Sequence, residues 1–201
     1  LPGLISHRLE RMGDPLRLLV QRAAVMGPYF WAVALMQLSA DDDTPLDWES
    51  LTTLLGELVD LGWIYRRNIS AFPGSQEYAF GNDELQQVAY HTFPVSERQQ
   101  AHARIAAWLI THENAGTTQL AAMVAAHLER GEKLNQSAVW YSRAAEQARK
   151  EQAPETAVHH YIQALNLLPA SPETAVQRIS LNDGLGEMLR WQGLYADALE
   201  A

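Results

Sequence analysis

A chain of 201 residues is long enough to bury a core, and its length alone allows one or two domains. Its 24 acidic against 15 basic residues leave a formal net charge of −9, which works against polyanionic partners, whether nucleic acid or anionic membrane. The absence of cysteine excludes disulfides and thiolate metal sites and suits a cytoplasmic location, no run of 18 apolar residues offers a transmembrane helix, and no signal peptide is visible. Alanine and leucine dominate, and the twelve glycines and nine prolines fall mostly between periodic segments, so the expected class is all-α.

Leu4, Ile5, Leu9 and Met12 stand at near-helical spacing before a Gly-Asp-Pro breaker. Pro15 suits the first position of a second helix with Asp14 as its cap, and Leu16, Leu19, Val20, Ala23 and Ala24 form its apolar face up to Gly27. Pro28 is expected to open a further helix through Phe30, Trp31, Ala34, Leu35 and Leu38, ended by the acidic loop Asp41-Asp42-Asp43-Thr44-Pro45. From Asp47 the residues Leu51, Leu54, Leu55, Leu58, Val59 and Leu61 keep the helical period until Gly62 stops it.

Between Trp63 and Phe80 the period switches. Trp63 to Ile69 reads as a strand, Ala71 to Ser75 carries turn chemistry, and Glu77 to Phe80 reads as the returning strand. A lone hairpin is marginal in water and must lean on the helices before it. Three helices followed by a two-stranded wing predict a winged-helix domain over residues 1–93. Two more helices follow, Asn82 to Phe93 closed by Pro94 and Ser96 to about Glu113 with Ser96 as cap, the second being a linking helix within residues 94–115.

After the loop Asn114-Ala-Gly-Thr-Thr118, residues 116–201 read as helical throughout. The segments are Thr118 to Arg130, Gln136 to Glu151, Pro154 to Leu168 and Glu173 to Gln192, with a fifth from Tyr195; their short connections predict antiparallel hairpins. Tyr141, Ala144, Ala145 and Ala148, then Ala157, Tyr161, Ala164 and Pro169, stand at the offsets of one tetratricopeptide unit. Small residues let two helices approach, the aromatic fills the wedge, and proline ends the second helix. A second copy begins as Leu185-Gly186, Leu189, Gly193, Tyr195 and Ala198, and a looser one precedes both at Leu120, Met123, Val124, His127 and Gly131. The rival is an ordinary alanine-rich helical bundle.

Four runs carry a resemblance: Arg22-Ala-Ala-Val-Met-Gly27, Leu58-Val-Asp-Leu-Gly-Trp-Ile64, Tyr78-Ala-Phe80 with Leu85-Gln-Gln-Val-Ala-Tyr90, and Ala138-Val-Trp-Tyr-Ser-Arg-Ala-Ala145. Together they resemble the region after the NTPase module in bacterial signal-transduction ATPases of the STAND class, which includes adenylate or guanylate cyclase-like regulators and the maltose-activator type. The resemblance implies the order NTPase core, winged helix, tetratricopeptide-like sensor, with an upstream NTPase domain as a partner in the same chain. That family often writes Phe-Arg-His after the second wing strand, whereas Phe80 is followed here by Gly81 and Asn82. The chain starts without methionine and stops inside a helical pattern, so both ends are expected to be cuts in a larger protein.

Little in the sequence suggests chemistry. No Gly-x-x-x-x-Gly-Lys-Ser/Thr and no Gly-x-Gly-x-x-Gly after a strand occurs, so no phosphate cradle or cofactor site is expected. The seven histidines form no His-Glu-x-x-His, and the adjacent His159 and His160 diverge on a helix, which argues for packing and solvent-facing roles over metal ligation. The acidic loop lacks the ligand spacing of a calcium site. Acid pairs such as Glu57 with Asp60, or Asp83 with Glu84, have no accompanying nucleophile or convergent polar groups, and no catalytic residue is expected.

A DNA-reading winged helix is the alternative function, and the helix from Asp47 to Gly62 argues against it: it holds Asp47, Glu49, Glu57 and Asp60 and no lysine or arginine. Arg66 and Arg67 are the only basic cluster nearby, too few for the phosphate contacts that binding needs. A third possibility is a free-standing adaptor. The expected function is regulatory and non-catalytic, coupling the NTPase to a sensor, with the wing as a brace between domains through Arg66, Arg67 and Phe72, unless Phe72 tucks back onto the helices. The repeat phase puts Ser142, Glu146, Arg149 and Lys150 on the inner face of one helix and Asp183, Glu187, Arg190 and Trp191 on that of the next. Mixed charge beside a tryptophan suits a protein or peptide ligand, against the alternative of a merely solvated face.

Overall fold

The computed structural model describes residues 2–40, 45–111, 117–194 and 198. The acidic loop Asp41 to Thr44, the segment His112 to Gly116 and Tyr195 lie outside the described residues. The fold is mainly helical, with ten α-helices and three strands among those residues, and it divides into two compact units at Trp108 and Leu109.

The first unit runs α1 (Pro2–Glu10), α2 (Asp14–Met26), β1 (Tyr29–Trp31), α3 (Ala32–Ser39), α4 (Trp48–Asp60), β2 (Ile64–Arg66), β3 (Glu77–Phe80), α5 (Asp83–Thr92) and most of α6 (Val95–Thr111). The expected hairpin is in fact a three-stranded antiparallel sheet, β1-β3-β2, with Tyr29 and Tyr65 both opposite Ala79. Pro28 does not open a helix. Tyr29, Phe30 and Trp31 are aromatic residues that suit a pleated surface, and they pair with β3 before the helix starts at Ala32. The Pro28 carbonyl accepts the Phe80 N–H at 3.0 Å, which commits the proline to the edge of the sheet. A third strand is what lets a short hairpin stand.

Local chemistry explains the helix ends. Asp47 caps α4, its carboxylate accepting the Ser50 N–H at 2.7 Å, and this bond draws its pKa below the ordinary aspartate value. Asn82 caps α5 in the same way through Leu85 N–H at 2.9 Å. Two expected caps are displaced: Gly13 holds the cap position of α2 while Asp14 pairs with Arg17, and α6 begins at Val95, with Pro94 O accepting from Arg98 N–H, so Ser96 lies inside it. Leu51, Leu55 and Leu58 of α4 are fully buried, each stabilising the unit by roughly 1.5–3 kcal/mol. Trp63 is buried under the Arg8 guanidinium, 5.4 Å from its ring.

Gly81 follows β3 at a crowded place, because a Cβ there would stand 3.0 Å from the Gly62 carbonyl oxygen. Position 81 thus has little room for a side chain, and Asn82 is committed to capping α5.

The second unit continues through α7 (Thr118–Arg130), α8 (Leu134–Lys150), α9 (Pro154–Leu167) and α10 (Ala175–Trp191), with α8, α9 and α10 each packed on the helix before it. The alanines expected to permit close approach do so: Ala144, Ala145, Ala148, Ala157 and Ala164 have no exposed surface. The Ser137 hydroxyl donates to Ala125 O at 2.8 Å, binding α8 to α7. Arg178 of α10 donates to Leu165 O and Leu168 O at 2.9 and 2.8 Å, satisfying carbonyls left open at the end of α9.

Candidate functional site

On α8 the residues Val139, Ser142, Glu146 and Arg149 recur every three or four positions, and on α10 so do Val176, Ser180, Asp183, Glu187 and Arg190. Helical geometry puts each set on one face. The two faces enclose a groove of two hollows that meet at Ser180. One, of about 330 Å³, is mostly apolar: Ala138, Val139, Leu168, Val176 and Leu181 line it with Ser142 and Arg143. The other, of about 480 Å³, is charged and gathers Glu146, Arg149, Asp183, Glu187 and Arg190 around Asn182, Gly184, Gly186 and Ala198.

The charged hollow has an internal order. Arg149 spans it, donating to Glu146 Oε2 at 2.9 Å and Glu187 Oε2 at 3.0 Å, so one guanidinium ties α8 to α10. Both pairs are about one-third exposed, which holds each to roughly 1 kcal/mol at most. Tyr161 of α9 is buried but sends its hydroxyl to Glu146 Oε1 at 2.5 Å. Burial first, and then that carboxylate, push the phenol well above its ordinary pKa. The negative Glu146 raises Arg149 likewise. Both groups keep their protons at neutral pH, so the hollow presents fixed donors and acceptors. Gly184 makes the arrangement possible: a Cβ there would lie 2.5 Å from Tyr161 Cζ.

Of the residues expected on the groove, Ser142, Glu146, Arg149, Asp183, Glu187 and Arg190 converge on it. Lys150 lines a separate hollow of about 270 Å³ between α7 and α8, which Ser142 and Glu146 also border. Trp191 is exposed at the end of α10 but lines neither half of the groove. The apolar half, Val139, Val176 and Leu181, was not anticipated; following the same helical spacing back from Asp183 through Ser180 to Val176 would have found it.

The brace residues have different surroundings. The buried Glu77 carboxylate accepts from Arg67 at 2.5 Å, from the Trp31 indole N–H at 2.9 Å and from the Ala71 N–H at 2.9 Å. Arg67 also lies over the Tyr29 ring at 4.4 Å. Arg66 is exposed and donates to Gln76 Oε1 at 2.6 Å. Phe72 tucks back: it stands edge-on to Trp31 at 4.7 Å and to Trp108 at 4.9 Å, half-buried. Arg67 and Phe72 are therefore tied into the first unit.

The adjacent histidines differ in burial but do not diverge as expected, since their rings meet edge to face with centroids 5.2 Å apart. His159 is exposed, whereas His160 is buried against Tyr141, its Nδ1 without a hydrogen-bond partner and its pKa lowered by burial and then by His159. Tyr141 donates to Glu129 at 3.0 Å and is pushed up to about 12, chiefly by burial. Among the described residues no group of three or more His, Asp or Glu side chains could hold a metal, and no helix is long and apolar enough to cross a membrane. No family model, no curated protein and no solved structure matches the chain.

Proposed function

We propose that this chain is a non-catalytic regulatory module of a multidomain, cytoplasmic signal-transduction ATPase of the STAND class, coupling an NTPase to a protein-binding sensor. The first unit is read as a winged helix, supported by its order α2-β1-α3-α4-β2-β3 and by the sheet order β1-β3-β2, which brings the early strand beside the wing. The second unit is read as tetratricopeptide-like, supported by the burial of Tyr141, Ala144, Ala145, Ala148, Ala157, Tyr161 and Ala164 at the spacing of that repeat.

The observation that carries the sensor role is the groove between α8 and α10, where an apolar end adjoins an ordered charged end. An extended or helical peptide with one apolar anchor and flanking polar groups fits such a surface. Panning a random peptide library on the chain tests it. The expected outcome is a peptide class whose binding falls about tenfold or more on Arg149→Ala or Val176→Asp. Peptides bound equally well by both variants would overturn the groove as the site. For the first unit, titration with mixed-sequence DNA duplexes at low salt is expected to show no salt-sensitive binding, because the exposed face of α4 is acidic.

A further inference from the structure

We propose that the exposed face of α4 is a docking surface for a basic, amphipathic helical segment of a protein partner. The proposal rests on the reading of the first unit as a winged helix that couples protein domains rather than binding DNA, and names where it docks and what it takes. Leu51, Leu55 and Leu58 anchor one side of α4, and the opposite side is open. Trp48 and Leu61 are each about half exposed at its two ends, and Val59 is more than one-third exposed. Helical phase puts Trp48, Val59 and Thr52 along one edge of the open face, Glu49 and Asp60 near its midline and Glu57 beyond them, with Gly56 between the apolar edge and the acids.

The face is thus apolar on one side and acidic on the other, a pairing that an amphipathic helix with leucines beside lysines would match. Gly56 bears on the fit. A glycine inside a helix weakens it, and nothing lies within 4 Å of where its Cβ would be, so no neighbour in this unit needs the space. The gap lets a second helix approach the backbone of α4 closely. Charge complementarity selects the occupant: α4 carries no lysine or arginine, and Arg8 is engaged at its C-terminal end, donating to Leu61 O at 3.0 Å. A nucleic acid would meet only like charge there.

The probe is a labelled synthetic peptide of about 18 residues, long enough to hold helix, with leucine on one face and lysine on the other. Fluorescence anisotropy should show saturable binding to the whole chain. The triple variant E49K/E57K/D60K should bind at least about tenfold more weakly. A control with the same charge change elsewhere, E10K/E84K/E97K, should bind within about threefold of the parent. Gly56→Leu, which keeps the charge and favours the helix, should also abolish binding while circular dichroism stays unchanged. Equal losses in both triple variants, or parent-like binding by Gly56→Leu, would overturn the proposal. Loss on E146Q/E187Q alone would assign the peptide to the α8/α10 groove, overturning this inference while leaving the proposed function standing. Binding of duplex DNA would instead remove the protein-docking reading itself.

Discussion

The two units use their charged side chains in opposite ways. In the first, Glu77 is buried and takes three donors from its own unit, and Arg67 serves that carboxylate and the Tyr29 ring. In the second, Glu146, Arg149 and Glu187 are similarly interlinked yet remain about one-third exposed along a groove. The first network holds a short sheet together, where an unmet donor is expensive; the second gives polarity to a surface. A charged residue is therefore informative about function only once its partners are known.

The sharpest way to break this contrast is to remove the buried acid. Glu77→Leu leaves the Trp31 indole, the Ala71 N–H and the Arg67 guanidinium without their acceptor, and should cost the first unit about 3 kcal/mol or more. Urea unfolding followed by near-ultraviolet circular dichroism, which reports the Trp31–Trp108 stack, would measure it. Glu77→Gln keeps an acceptor oxygen and should lose less. The half-buried Glu187→Gln should change stability by roughly 1 kcal/mol at most. Comparable losses from the buried and groove substitutions would erase the distinction.

A somewhat smaller effect is expected at Gly184. Alanine there must displace the Tyr161 ring, which is buried and tethered to Glu146, at a cost of about 1–3 kcal/mol. In a Tyr161→Leu background the same change should be much less harmful, and the coupling between the two measures how far the glycine exists to admit the tyrosine.

A third effect is confined to a range of pH. His160 is buried and its pKa is lowered from 6.5, so the unfolded chain takes up its proton more readily than the folded one. The stability tied to the neutral ring is fully present above pH 6.5 and is lost progressively as the pH falls from there through the lowered value of the folded state. The melting temperature of the parent should fall between pH 7.5 and 5.5 by more than that of His160→Phe, which keeps a ring against Tyr141 but cannot charge. Parallel curves would mean that the imidazole does not feel its burial.

The contrast between units also governs what could be read from the residues. Helices with one clear apolar face, such as α4 and α7, were legible because spacing acts locally, whereas the caps expected at Asp14 and Ser96 were displaced by one residue or more. β1 was not: Tyr29-Phe-Trp31 fits both periods over so short a run, and its strand conformation depends on β3, with Glu77 standing 46 residues after its partner Trp31. The charged groove residues Glu146, Arg149, Asp183, Glu187 and Arg190 were legible because they follow from helix phase, whereas Lys150 and Trp191 fall outside the groove and its apolar half depends on how α8 and α10 meet. The surroundings of Arg67 and Phe72 were not, since Glu77, Trp31 and Trp108 reach them only through the folded sheet.

The smallest effect has the opposite sign. Gly56 and Gly184 both sit inside helices, but a Cβ at Gly56 would have nothing within 4 Å, whereas one at Gly184 would meet a ring at 2.5 Å. Helix propensity favours alanine at both, by roughly 0.5–1 kcal/mol. At Gly184 the clash with Tyr161 should outweigh that gain, whereas at Gly56 nothing opposes it. Gly56→Ala should therefore raise the stability of the first unit by up to about 1 kcal/mol, and thermal unfolding beside Gly184→Ala would read the two signs. If Gly56→Ala is instead destabilising, α4 makes a contact across that position and its face is not open. If it is stabilising, the glycine serves no packing need within its own unit, as expected of a surface shaped for something that docks on it.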